Sequence, residues 1–175
     1  MNVYLFPTEL EAAPFRALCP DANIVVSGVG MAATAATIAR LDRECGLSAD
    51  DVVLLCGIAG AYGDSVAVGQ VVEVVSEDCV ELPARFRVRY EQDTPYTTLP
   101  RVTSNTVHAM ATEPATADIE NMEGATLFAM AEVMCFRAVE VRAISNRVRE
   151  SFNVWRVDEA LESLAKELKK IEYAE

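Results

Sequence analysis

The run Ile119-Glu120-Asn121-Met122-Glu123-Gly124-Ala125 sets a carboxylate, Glu123, beside a glycine at the start of an apolar stretch. Further along, Val139-Glu140-Val141-Arg142-Ala143-Ile144 is a β-branched run that ends in the polar pair Ser145-Asn146. Glycine lets another group approach the backbone closely. An ionised carboxylate only accepts hydrogen bonds, whereas an amide both donates and accepts, so Glu123 and Asn146 offer complementary chemistry to one small polar ligand. Phe6-Pro7-Thr8-Glu9-Leu10-Glu11 brings two more carboxylates to the start of a predicted helix. The helix dipole explains one acid there. A second, Glu11, is a candidate general base if it stands within hydrogen-bond reach of a reacting proton. In a parallel α/β sheet the carboxyl ends of the strands share one crevice, which would bring these segments together.

Two glycine-bearing turns accompany them. Ser27-Gly28-Val29-Gly30-Met31 and Cys56-Gly57-Ile58-Ala59-Gly60-Ala61 each follow an apolar run. Neither has the third glycine of a dinucleotide fingerprint. Their use is close backbone approach near a helix N-terminus, where amide donors point outward.

The elements that must hold these groups alternate in hydrophobic period. Strands are expected at residues 3–6, 24–26, 52–56, 70–76 (extended through 80), 100–107 and 139–145. Helices are expected at 10–18, 31–45, 122–136 and 157–171. Interleaving of this kind predicts an α/β fold with a mostly parallel (mixed) central sheet flanked by helices. Residues 82–99, rich in proline and charge, read as a long loop or an irregular strand pair.

Composition narrows the function. With 51% hydrophobic and 24% charged residues the chain reads as globular and water-soluble, a single domain over 1–175. A formal charge of −12 argues against a nucleic-acid partner. No apolar run is long enough for a membrane span, and Glu9 and Glu11 interrupt the apolar start, unlike a secretory signal. The five cysteines (Cys19, Cys45, Cys56, Cys79 and Cys135) form no CxxC pair, which predicts inert reduced thiols and a cytoplasmic protein. With the single histidine, His108, read as a hydrogen-bonded structural residue, no metal site is expected.

Met122-Glu123-Gly124-Ala125 and Arg142-Ala143-Ile144-Ser145-Asn146 together resemble the purine nucleoside phosphorylase and nucleosidase superfamily, and most closely its futalosine hydrolase branch. Members carry a Met-Glu-Gly/Ala helix and a later Arg-Ala-Ile-Ser-Asp/Asn strand. The resemblance covers most of the chain and implies a nucleoside phosphorylase-like sheet. It implies that Glu11 activates water, that Glu123 accepts from ribose hydroxyls with Met122 packed on the sugar, and that the backbone of Ile58, Ala59 and Gly60 lines sugar and base. Adenine-specific relatives have an aspartic acid where this chain has Asn146. An amide can donate to N7 and to a 6-oxo group, so Asn146 suits hypoxanthine.

Phosphorolytic relatives hold phosphate with arginines. This chain has none between Arg16 and Arg40 and none directly following Cys56–Ala61, which favours water as nucleophile. The activity implied is hydrolysis of futalosine to hypoxanthine and dehypoxanthine futalosine, a step of menaquinone biosynthesis, with no cofactor. The alternatives are a methylthioadenosine or adenosylhomocysteine nucleosidase and a shortened, non-catalytic binder of purine nucleosides. The resemblance also implies a homodimer, with residues 31–39 and 90–99 as candidate contact faces. Relatives are longer between His108 and Ile119, which leaves Met110, Tyr96 and Phe152 open as the group facing the base.

Overall fold

Apolar residues fall on both sides of the first strand, β1 (Asn2–Phe6). Tyr4 and Phe6 pack into one buried cluster, whereas Val3 and Leu5 pack into another. Successive strand side chains point to opposite faces, so a strand covered on both sides must be apolar throughout. The computed structural model describes residues 1–92, 94–110 and 116–174 of the protein. After β1 come α1 (Glu9–Leu18), β2 (Ile24–Val26), α2 (Met31–Cys45), β3 (Val52–Ala61), β4 (Val71–Cys79), β5 (Arg89–Glu91) and β6 (Arg101–Thr106). The chain then forms β7 (Ile119–Asn121), α3 (Gly124–Met134), β8 (Arg137–Arg147) and α4 (Val157–Glu172). Helices α1 and α4 bury Phe15, Leu161, Leu164 and Leu168 against one face of the sheet. Helices α2 and α3 bury Ile38, Leu41 and Leu127 against the other.

The mixed sheet runs β2-β1-β3-β7-β6-β4-β5, and β8 joins β3 to β4. The pairings β3–β7, β7–β6, β6–β4, β4–β8 and β8–β3 therefore close on themselves, with β1 and β2 extending from β3. Strand β3 is the pivot. On one side it pairs with β8 along its length. On the other it pairs with β1 as far as Leu55 and with β7 from Gly60 onward. Between those two points β3 lacks a strand neighbour on that second side, and the sheet opens.

Two expectations need correction. Cys56–Ala61 is a continuation of strand β3, not a loop after it, because β8 supplies hydrogen-bond partners that keep it extended. The segment before Glu123 is a strand, since Ile119–Asn121 pairs with both β3 and β6, and the helix begins only at Gly124. Residues 82–99 contain the short strand β5, which pairs antiparallel with β4. Among the described residues no helix is long and apolar enough to cross a membrane. The five cysteines are free; Cys19 and Cys56 are buried, whereas Cys45 and Cys135 are exposed, so burial protects only part of the set.

Candidate active site

A cleft of about 280 Å³ lies over the open stretch of β3. It gathers Glu11 from α1, Ile58, Ala59 and Gly60 from β3, Met122 and Glu123 from the β7–α3 junction, and Arg142 and Asn146 from β8. Glu11, Ile58, Ala59, Gly60, Met122, Glu123 and Asn146, singled out in the sequence for water activation, sugar or base, thus line one space.

Glu11 is placed by its own helix start. Thr8 caps α1 by accepting from the Glu11 N–H at 3.2 Å, and its hydroxyl donates back to Glu11 Oε2 at 2.6 Å. The other oxygen, Oε1, accepts from the Ile58 N–H at 3.1 Å, one of the β3 amides left without a strand partner. That amide therefore holds Glu11 and is not available to a ligand. Burial raises the Glu11 carboxyl above its ordinary range, against the hydrogen bonds from Thr8 and Ile58.

Arg142 is the group that sequence reasoning did not single out. Its side chain is buried, with Nε donating to Glu140 Oε1 at 2.7 Å. Nη2 donates to Asn121 Oδ1 at 3.1 Å and to Glu123 Oε2 at 3.2 Å. Burial works against the guanidinium charge, but the carboxylates of Glu140 and Glu123 more than compensate and raise its pKa. The signal was present in Val139-Glu140-Val141-Arg142: opposite charges two apart in an otherwise apolar strand lie on one face and can pair. An arginine does reach the cleft, then, but its Nε and Nη2 donors are held by Glu140, Glu123 and Asn121, and Nη1 lies 3.5 Å from the Ile58 carbonyl.

Glu123 is fixed from two sides. Oε2 meets Arg142, and Oε1 accepts from the Gly30 N–H at 2.9 Å. Gly28 (φ 88°) and Gly30 (φ 90°) turn the chain through the left-handed region, which aims that amide at Glu123. Asn121 Oδ1 accepts from the N–H groups of Glu123 at 2.8 Å and Gly124 at 2.7 Å, satisfying the first donors of α3.

The register between β3 and β8 explains two further glycines. Gly57 stands opposite Arg142 and Gly60 opposite Asn146, with Ser145 the extra residue of a bulge between them. A Cβ on Gly57 would lie 2.8 Å from both Arg142 Nη1 and Glu11 Oε1; one on Gly60 would lie 3.1 Å from Asn146 Nδ2. Both glycines make room for the polar groups. The Asn146 amide has a defined orientation. The Arg147 carbonyl can only accept, so it takes Nδ2 at 2.9 Å, and the Ser145 hydroxyl donates to Oδ1 at 2.8 Å. One Nδ2 proton remains for a ligand.

The mouth of the cleft carries Leu10, Val29, Met110 and Phe152, all exposed, with the Phe152 ring 5.1 Å from Trp155. Tyr96 is not part of it; its ring lies under the Arg137 guanidinium at 4.7 Å. His108 is at the surface, paired with Glu81. The shortened segment noted in the sequence falls partly on 111–115, outside the described residues. Among the described residues no group of three or more His, Cys, Asp or Glu could hold a metal ion.

No family model and no curated protein matches the sequence. Solved structures do. A futalosine hydrolase mutant from Helicobacter pylori strain 26695 superposes with a TM-score of 0.83 at 13% identity, covering 98% of this chain and 97% of that one. The 5'-methylthioadenosine/S-adenosylhomocysteine nucleosidase of Helicobacter pylori, crystallised with butyl-thio-DADMe-Immucillin-A, gives the same TM-score, identity and coverage. A putative nucleosidase of that type from Francisella philomiragia matches at a TM-score of 0.83 and 14% identity, over 99% of each chain. The chain has the nucleosidase fold. The match runs nearly end to end in each case.

Proposed function

We propose that the protein hydrolyses the N-glycosidic bond of a purine nucleoside, with futalosine as the preferred substrate. The observation that carries this reading is the meeting of Glu11, Glu123, Arg142 and Asn146 over the stretch of β3 that is open on one side. In this reading Glu11, ionised, takes a proton from a water that attacks the anomeric carbon. Glu123 accepts from the ribose hydroxyls and stabilises positive charge on the sugar as the bond breaks. Its partners Arg142 and Gly30 hold it in the geometry that makes this differential. Met122 packs on the sugar, and the β3 backbone at Ala59 and Gly60 lines sugar and base. The free Nδ2 proton of Asn146 hydrogen-bonds to the leaving purine at N7 and the 6-oxo group; the amide keeps that proton, and the departing purine anion takes its own from water. Of the three groups left open for stacking on the base, Met110 and Phe152 line the cleft and Tyr96 does not.

The fold neighbours include both futalosine and methylthioadenosine nucleosidases at the same similarity, so fold does not choose between them. Asn146 does the choosing here: a carboxylate suits the exocyclic amine of adenine, whereas an amide suits the carbonyl of hypoxanthine. Incubation with futalosine, methylthioadenosine and inosine, with and without phosphate, tests the reading. Release of hypoxanthine from futalosine without phosphate is expected. Preferred release of adenine would assign the chain to the second nucleosidase type, and tight binding without base release would make it a binder.

A further inference from the structure

Arg142 is anchored on the side of Glu140, and that anchor has an unusual neighbour. Glu140 is fully buried; Oε1 takes the Arg142 Nε, but no donor among the described residues reaches Oε2. A buried carboxylate oxygen without a donor is costly, so a proton source is needed beside it. The group there is Glu77 on β4, also fully buried. Glu77 Oε1 and Glu140 Oε2 both occupy the space that a Cβ on Gly124 would take. The other neighbours of Glu77 are donors or neutral: the Thr106 hydroxyl at 2.7 Å, and the Asn121 amide. Two carboxyl groups thus face each other with no cation between them, an arrangement that two charges cannot share. Burial first, and then the Glu140 charge, push Glu77 well above the usual carboxylate range. Burial likewise raises Glu140, against the pull of Arg142.

We propose that Glu77 and Glu140 share a single proton across Gly124, and that Glu140 is a positioning residue which, through Arg142, fixes Glu123 against the ligand. The shared proton keeps one negative charge on the Glu140 side, enough to hold Arg142 Nε. The guanidinium is then free to keep Nη2 on Asn121 and Glu123. The titratable and charged groups around the pair are Arg142 and Glu123 on the cleft side, with Cys56 of β3, Tyr62 and Cys79 beyond. The effect on turnover rests on the nucleosidase reading; the shared proton does not.

The test combines infrared spectroscopy of the full chain at neutral pH with steady-state hydrolysis. A protonated-carboxyl band is expected in the wild type, persisting in Glu11→Gln and vanishing in Glu77→Gln. Glu140→Gln, nearly the same shape, should lower kcat by about 10- to 100-fold, the scale of a misplaced catalytic group, with a smaller change in KM. Glu77→Gln supplies a permanent neutral donor to Glu140 and should cost at least about fivefold less in kcat than Glu140→Gln. Gly124→Ala, which leaves both acids in place but drives a methyl between them, should shift the band as the shared hydrogen bond is broken and lower kcat; it keeps the test alive should Glu140→Gln fail to fold. Hydrolysis by a wild type that lacks the band, or equal kcat losses in Glu77→Gln and Glu140→Gln, would overturn the proposal. A wild type that has the band but cleaves no nucleoside would sink the nucleosidase reading, and the positioning role with it, while leaving the shared proton standing.

Discussion

Asn146 and Glu11 owe their chemistry to the groups that hold them. The Arg147 carbonyl and the Ser145 hydroxyl orient the Asn146 amide so that a donor proton is left over. Asn146→Asp replaces that donor with an acceptor and should lower kcat/KM for hypoxanthine nucleosides by about tenfold or more, the cost of an unpaired buried polar group. Absorbance of the released base against futalosine and methylthioadenosine measures it; an unaltered preference would move base recognition elsewhere. For Glu11, burial raises the carboxyl above its ordinary value. A general base works ionised, so activity should fall as pH drops through that raised value, earlier than an ordinary glutamate would allow. Glu11→Gln should fold, bind nucleoside, lose that acid limb and turn over about 10²-fold more slowly. Wild-type turnover in that variant, read by the same assay, would remove Glu11 from the mechanism.

Strand β3 decides which side chains can meet. Its apolar start and the alternating period were readable, as were β1, β2, β4, β6, β8 and all four helices to within a few residues. The sequence pattern alone makes the glycines turn residues, because glycine is rare in strand interiors. They sit in a strand because Arg142 and Asn146 on β8 need their space. Ile119–Asn121 is not legible as a strand, because three residues carry no usable period; its pairing with β3 and β6 is a property of the closed sheet. Glu11, Glu123 and Asn146 could be named from local motif alone. Arg142 and Asn121 could not, since their roles arise from partners distant in sequence. Gly57→Ala tests this scale. A methyl there meets both Arg142 Nη1 and Glu11 Oε1 at 2.8 Å. The variant should keep its circular dichroism spectrum but lose hydrolysis by about 10²-fold, the scale of a displaced catalytic group. Near-normal turnover would show that the two groups have slack.

At the scale of the molecule, several buried acids surround one buried arginine. Burial raises the folded-state values of Glu11, Glu77 and Glu140 above those of the unfolded chain. The folded state then holds more protons than the unfolded one once pH exceeds the ordinary glutamate value, about 4.3, so stability should decline as pH rises from there through the raised values. Denaturant midpoints across that window should fall in the wild type and fall less in Glu77→Gln; identical slopes would contradict the assignment. The exposed apolar rim of Leu10, Val29, Met110 and Phe152 also motivates the proposal that a second copy covers the cleft. Light scattering should then report about twice 19.0 kDa. A fully active monomer would contradict it. The central claim, that water cleaves a purine nucleoside in this cleft, is tested most directly by turnover of futalosine in water enriched in oxygen-18, followed by mass spectrometry of both products. The account predicts free hypoxanthine and a sugar product carrying one labelled oxygen on its anomeric carbon, with or without phosphate. An unlabelled or phosphorylated sugar, or nucleoside recovered intact, would contradict it.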